Sequence, residues 1–120
     1  MNQNVDVRGR STISTDGTVI QCLQCISEGE IIKYEPSLKI QVVNISIEGL
    51  CISTEKVFKK GTVLEFNIAL GDTLYESILA TIIWSIKNEN IYKYGLHIKN
   101  ITGQFNNHIY EMKSGFSTSI

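Results

Sequence analysis

Two cysteines three positions apart form the sequence pattern most readily associated with chemistry. Cys22 and Cys25 make a C-x-x-C sequence, which proteins use for zinc binding or for thiol–disulfide exchange. Zinc needs two further ligands, and the remaining candidates, Cys51, His97 and His108, show no paired spacing. Residues three apart on a strand also point to opposite faces, which is poor geometry for chelation. Since an unpaired cysteine packs as a small hydrophobic residue, we interpret both as packed strand residues, with a redox or metal protein as the minor alternative.

The two histidines have no catalytic partner beside them in the sequence. His97 lies between Leu96 and Ile98 on an expected strand, and His108 lies next to the apolar stripe of an expected helix. The chain also contains no glycine-rich phosphate loop, no nucleophile elbow and no metal-binding helix motif. We therefore expect a protein that is not an enzyme, without catalytic residues, metal or cofactor.

The most specific local feature is segment 44–49, which has the pattern N-x-S-x-x-G. It lies between two apolar runs, so it predicts a tight corner between strands. The side chains of Asn44 and Ser46 can bond to nearby backbone groups, and Gly49 permits a conformation or a close approach that other residues resist. Taken alone, the segment is better read as a plain turn between two strands.

The composition is that of a folded chain with balanced charge. A length of 120 residues suits one domain with its own core, and 42% hydrophobic with 19% charged residues is typical of globular proteins. The 11 basic and 12 acidic residues leave a net charge of -1, whereas coating DNA, RNA or anionic lipid needs a basic excess. We therefore expect no nucleic-acid partner.

The hydropathy pattern predicts no membrane insertion. The longest apolar stretch, residues 78–86, is interrupted by Thr81 and Ser85 and is far shorter than the roughly 20 residues of a membrane helix. The first residues are polar, without the apolar region of a secretion signal. We expect a cytoplasmic protein whose cysteines are reduced thiols.

From residue 18 onward the chain alternates between β-rich runs and turns. The turns fall at 27–30, 59–61, 71–72 and 88–90, and Pro36 is expected to end a strand because proline cannot donate to a ladder. Regular turns between such runs predict an antiparallel sandwich or small barrel. The predicted strands are 18–26, 31–34, 38–44, 50–53, 62–70, 75–86 and 91–98.

The two ends of the chain differ from this β-rich centre. Residues 1–17 are polar and lack periodicity, which predicts a flexible N-terminal arm ahead of a single domain at residues 18–120. Near the C-terminus, Thr102 can cap a helix on which Phe105, Ile109 and Met112 form one apolar stripe. We expect this helix to cover one open end of the β structure.

The residues after the 44–49 corner extend it into a longer pattern. An apolar strand at 50–52 and a glycine turn follow, then residues 80–84 ending in tryptophan, then the Tyr-Gly strand 94–98 and the C-terminal helix. In this order and spacing the chain resembles the PilZ domain family. The resemblance implies a mainly all-β fold, a six-stranded antiparallel β-barrel with one C-terminal α-helix across its mouth. That agrees with the architecture expected from the strands and turns.

The resemblance also implies a ligand, because PilZ domains are best known as receptors for the bacterial second messenger cyclic di-GMP. In the family, the corner matched here by Asn44, Ser46 and Gly49 forms one half of the binding site. An R-x-x-x-R segment on the arm before the first strand forms the other half. The planar arginine fork grips phosphate oxygens or a guanine edge and stacks on a purine, which lysine cannot do.

The arginines of this chain depart from the family pattern. Arg8 and Arg10 are the only two, and no pair lies four apart. If Arg10 takes the first position, Ser14 stands in the second; alternatively Arg8 and Arg10 both reach the ligand, which Gly9 between them permits. The loss of one arginine contact would weaken binding by about ten- to a hundredfold.

Two functions therefore remain open. In the first, a PilZ-like regulatory module binds cyclic di-GMP through Arg8, Arg10, Asn44, Ser46 and Gly49 and passes the signal to a protein partner. In the second, a degenerate PilZ domain binds no nucleotide and serves as a protein–protein interaction adaptor in motility, pilus or envelope assembly.

Overall fold

A computed structural model describes residues 13–14, 17–46, 48–99 and 109 of the chain. Over these residues the backbone is almost entirely β, in seven strands of one antiparallel sheet. The strands are β1 (Ile13–Ser14), β2 (Val19–Ser27), β3 (Glu30–Ile45), β4 (Gly49–Thr54), β5 (Val63–Leu70), β6 (Thr73–Asn88) and β7 (Ile91–Ile98).

The sheet closes on itself because β3 is paired along both edges. One edge of β3 bonds to β2 and the other to β4, and the ring continues through β5, β6 and β7. Strands β2 to β7 therefore form a closed six-stranded antiparallel barrel, as predicted, to which β1 is a short addition beside β3. Closure pairs the edges that an open sheet would expose.

The barrel interior holds one hydrophobic core. Residues on a strand alternate between the two faces of the sheet, and β5 shows the alternation directly: Leu64, Phe66, Ile68 and Leu70 are all buried. These four are the residues that the sequence placed on one face. The largest fully buried side chains are Tyr94, Phe66, Ile20, Ile40, Ile45, Ile52, Leu64, Ile68, Ile82, Ile109 and Val42.

The prediction that Pro36 ends a strand is wrong, because β3 runs unbroken from Glu30 to Ile45. The pairing explains why proline is tolerated there. Cys22 pairs with Leu38 and Gln24 with Lys33, so the β3 residues between these two partners have none on β2. Proline lacks a backbone N–H, and at this interruption of the ladder no N–H is required.

The predicted ends of the chain lie mostly outside the described residues. Within the expected arm, Ile13–Ser14 form β1, a strand that the sequence did not indicate. Of the expected C-terminal helix, Ile109 is described and is completely buried in the barrel core; the rest of the helix stays a prediction. No helix in the described part of the chain is long and apolar enough to cross a membrane.

Candidate functional site

The corner between β3 and β4 is held in shape by its own backbone. Ser46 donates from its N–H to the carbonyl oxygen of Gly49 at 2.8 Å, and its Oγ approaches the same oxygen at 3.3 Å. A hydrogen bond of 3.4 Å from the Ile98 N–H to the Glu48 carbonyl joins the corner to β7. Segment 44–49 thus forms a hydrogen-bonded corner that is bonded to the neighbouring strand β7.

The corner requires glycine at position 49 because the backbone of β7 approaches it closely, and not because of an unusual backbone angle. It lies directly opposite His97 on β7, and a Cβ at this position would collide with the carbonyl oxygen of Leu96. Because the obstacle is backbone, it cannot turn aside as a side chain could. Glycine lets β4 begin in direct contact with β7.

A groove of about 180 Å³ opens beside the corner. Asn44, Ser46 and Gly49 all line it, so the structure brings together the three site residues predicted on the barrel. Arg8 and Arg10 lie outside the described residues, and their part in the site stays a prediction. The other lining residues are Glu48, Leu50, Cys51, Ile83, Trp84, Gly95, Leu96 and His97.

Trp84 forms one wall of the groove. It pairs with Gly95 across β6 and β7, and a Cβ on Gly95 would collide with the indole ring. The indole ring thus occupies the space that a side chain at position 95 would need, while Trp84 keeps 41% of its surface exposed. An exposed aromatic ring beside a groove offers a surface on which a planar base can stack.

Trp84 and His97 are groove residues that were not assigned to the site from sequence. In the sequence, the tryptophan run and the Tyr-Gly strand indicate only the fold. The relevant signal was the pairing of a large aromatic residue with a glycine, Gly95, on the next strand, which depends on the β6–β7 register. His97 is exposed and faces Gly49 across the strands.

The described walls of the groove carry little positive charge. Glu48 is acidic, and no lysine or arginine is present among the described lining residues. Burial raises the pKa of the Cys51 thiol, with Lys93 acting in the opposite direction. An anionic ligand would therefore have to obtain its counter-charges from outside these walls.

Strand β1 lies beside the 44–49 corner. Ile13 pairs with Ile45 and Ser14 with Asn44. Residues 13–14 therefore lie beside Asn44, one of the groove residues. Arg10 is only three residues before Ile13 in the sequence, within about 10 Å of extended chain.

The C-x-x-C cysteines lie together in the barrel core. Cys22 and Cys25 are both buried, because a bulge at Leu23 shifts the β2 register between Cys22 and Gln24. The expectation that residues three apart face opposite sides is therefore wrong here. Burial, and next the proximity of Cys25, raises the pKa of the Cys22 thiol to about 12, which keeps it protonated and unreactive. Packing accounts for both residues, and Cys25 Sγ lies 3.4 Å from the Tyr34 hydroxyl.

The closed barrel and its surface groove define a small β-barrel domain with a groove beside the β3–β4 corner. The family model described as PilZ domain matches residues 5–112. Since that match spans most of the 120 residues, the chain belongs to the PilZ domain family. No curated protein matches the sequence.

Solved structures with a similar fold come from two bacteria. YcgR from Escherichia coli, in complex with c-di-GMP, has a TM-score of 0.67 and 12% identity, over 96% of this chain and 48% of that chain. The PilZ domain of YcgR with c-di-GMP has a TM-score of 0.61 and 11% identity, over 95% of this chain and 94% of that one. MotI, the inhibitor of motility from Bacillus subtilis, has a TM-score of 0.63 and 14% identity, over 98% of this chain and 54% of that chain. At such identities the likeness shows the fold, and this chain spans about half the length of the first YcgR chain and of MotI.

Proposed function

We propose that this chain is a regulatory module that binds cyclic di-GMP in the groove at the 44–49 corner and transmits its presence to a protein partner. The observation that carries the proposal is the convergence of Asn44, Ser46 and Gly49 on one surface groove. Membership of the PilZ domain family and the c-di-GMP complexes of YcgR, a similar fold, support it.

The dimensions of the groove suggest how the ligand is held. At about 180 Å³ it is below the roughly 300 Å³ of pockets that enclose a whole drug-sized ligand. It suits one guanine base, stacked on Trp84, with its edge bonded to Asn44 and Ser46. The rest of the dinucleotide would lie against the N-terminal arm.

The charge of the ligand also suggests that the N-terminal arm contacts it. Cyclic di-GMP carries two negatively charged phosphates. The described groove walls include the acidic Glu48 and no lysine or arginine. Arg8 and Arg10 are the nearest cations in sequence to β1, which enters beside Asn44. In the proposed complex they contact phosphate or guanine.

Signal transmission follows from the same arrangement. Ligand would draw residues 1–12 onto the corner and so change the surface that the domain presents to a partner. Ordering a segment is a common way for a small ligand to alter a protein interface.

The arginine spacing favours a second candidate function, an adaptor that binds no nucleotide. Counted from Arg10, the second arginine of the family pattern falls at Ser14. Ser14 pairs with Asn44, so this position lies beside the corner but carries no charge. Such a domain would act through protein contacts alone, in motility, pilus or envelope assembly.

Isothermal titration of cyclic di-GMP into the purified chain separates the two functions. The receptor proposal expects heat of binding with the protein at about 100 µM, and at least a tenfold loss of affinity in Arg8→Ala/Arg10→Ala. Lys33→Ala/Lys39→Ala removes the same charge from β3 outside the groove and should bind as the original does. Absence of heat would overturn the receptor function, while binding that survives the arginine substitutions would overturn only the role of the arm.

A further inference from the structure

Glu48 is an acidic residue that the backbone fixes at the edge of the groove. Its carbonyl oxygen accepts a hydrogen bond of 3.4 Å from the Ile98 N–H, which ties it to β7. The next residue, Gly49, starts β4 directly opposite His97. Glu48 is exposed and lines the groove. Its side chain therefore borders any ligand that fills the groove.

Trp84 and Glu48 border the groove from opposite sides of β7. Gly95 and His97 are two residues apart on β7, so they share one face of the strand. Trp84 pairs with Gly95 from β6, and Gly49, the residue after Glu48, pairs with His97 from β4. Two strand spacings come to about 10 Å. A planar base stacked on the indole can thus present one of its edges to the corner.

Guanine differs from adenine in the groups along its Watson–Crick edge. Guanine offers two adjacent donors, N1–H and the N2 amino group, whereas adenine has an acceptor at N1 beside its N6 amino group. An ionised carboxylate only accepts hydrogen bonds, and its two oxygens can take both guanine donors at once. Such charge-assisted bonds are shorter and stronger than neutral ones. A carboxylate at this edge therefore favours guanine and opposes adenine.

Glu48 is the residue that can make this distinction in the groove. Among the described lining residues, it is the one whose side chain only accepts hydrogen bonds. The Asn44 amide and the Ser46 hydroxyl can each donate as well as accept, so either base can satisfy them. The choice between the bases therefore falls to Glu48.

We propose that Glu48 determines the specificity of the groove for guanine, by accepting the N1–H and one N2–H of a base that stacks on Trp84. This inference rests on the proposed function and names the side chain that selects the base. The same negative charge repels phosphate, so the base enters the groove and the phosphates stay outside it. That orientation agrees with described groove walls that include no lysine or arginine.

Isothermal titration of the whole chain with cyclic di-GMP and with cyclic di-AMP tests the inference, because these two ligands differ only in their bases. The original chain should bind cyclic di-GMP at least tenfold more tightly than cyclic di-AMP. Glu48→Gln should weaken the binding of cyclic di-GMP by about ten- to a hundredfold. It should bind cyclic di-AMP as well as the original does or better, because a carboxamide can donate to adenine N1 and accept from N6.

Glu55→Gln is the matched control. Glu55 directly follows β4, as Glu48 directly precedes it, and Glu55 is exposed but is not among the described groove residues. The control removes the same charge and should leave both affinities unchanged.

Two results would overturn the inference, and they differ in what they say about the proposed function. If Glu48→Gln keeps the original ratio of the two affinities, Glu48 does not choose the base, while the binding of cyclic di-GMP and the proposed function stand. If the original chain gives no heat with cyclic di-GMP, the proposed function and this inference fail together.

Discussion

At the scale of single residues, two glycines of the groove face obstacles of different kinds. A Cβ on Gly49 meets the backbone carbonyl of Leu96, whereas a Cβ on Gly95 meets the side chain of Trp84. A backbone obstacle forces the strands apart, but a partly exposed side chain can swing away. The same substitution should therefore have different consequences at the two positions.

We expect Gly49→Ala to lower the free energy of unfolding by about 2 kcal/mol or more. Gly95→Ala should lower it less, but should displace Trp84 from the groove and shift its fluorescence emission to longer wavelength. The chain has a single tryptophan, so emission reports on this site alone. Urea unfolding together with emission spectra measures both effects. Unchanged stability in Gly49→Ala would contradict the close contact between β4 and β7.

At the scale of elements, the turns set the pairing of the strands. The two-residue turn between β2 and β3 consists of Glu28 and Gly29, with φ of 53° and 84°. Glycine adopts this left-handed region without cost, while glutamate does not and asparagine tolerates it better. Glu28 also pairs with Lys59 at 3.2 Å, but both side chains are largely exposed, so this ion pair contributes little.

We therefore expect Glu28→Asn to stabilise the chain by about 0.5 to 1 kcal/mol. Glu28→Gln is the control, because it removes the same charge and the same ion pair without the asparagine preference. The measurement is the midpoint of urea unfolding, which should rise for Glu28→Asn and stay level or fall for Glu28→Gln. Equal midpoints would show that the turn conformation does not limit stability.

At the scale of the whole molecule, the barrel buries thiol and phenol groups, which lose their protons only at high pH. Burial raises the pKa of Cys22 from its usual 9.0 to about 12, and burial likewise raises the pKa of Tyr34 and Tyr94 above the usual value. A raised pKa in the folded state means that the unfolded chain loses its proton first. The resulting stability is fully present below pH 9 and is lost as pH rises from 9 toward 12.

We expect the free energy of unfolding to hold steady to about pH 8 and to fall above pH 9. Cys22→Ala should be less stable at neutral pH, because it leaves a cavity, but its stability should decline less steeply between pH 9 and 11. Urea titrations at several pH values give the slopes. Identical slopes for Cys22→Ala and the original chain would show that Cys22 does not contribute to the alkaline loss.

The tertiary structure also explains which parts of the site can be predicted from the sequence. The corner was found from sequence because Asn44, Ser46 and Gly49 are close along the chain, and local hydrogen bonds define such a motif. The Trp84 wall was not found, because it depends on Gly95 lying across the β6–β7 pair. A cross-strand contact is set by register, and a single residue of slip changes every partner.

The sequence by itself determined the class of fold, most of the strands and the corner, since alternation, turn residues and motif spacing are local properties of the chain. Only the tertiary structure decided that β3 continues through Pro36 and that a bulge turns both Cys22 and Cys25 inward. It also decided that β6 extends beyond its pairing with β5. The physical reason is common to all three. A bulge, an interrupted ladder or a free edge depends on how two strands align, and that alignment is settled when the whole barrel closes.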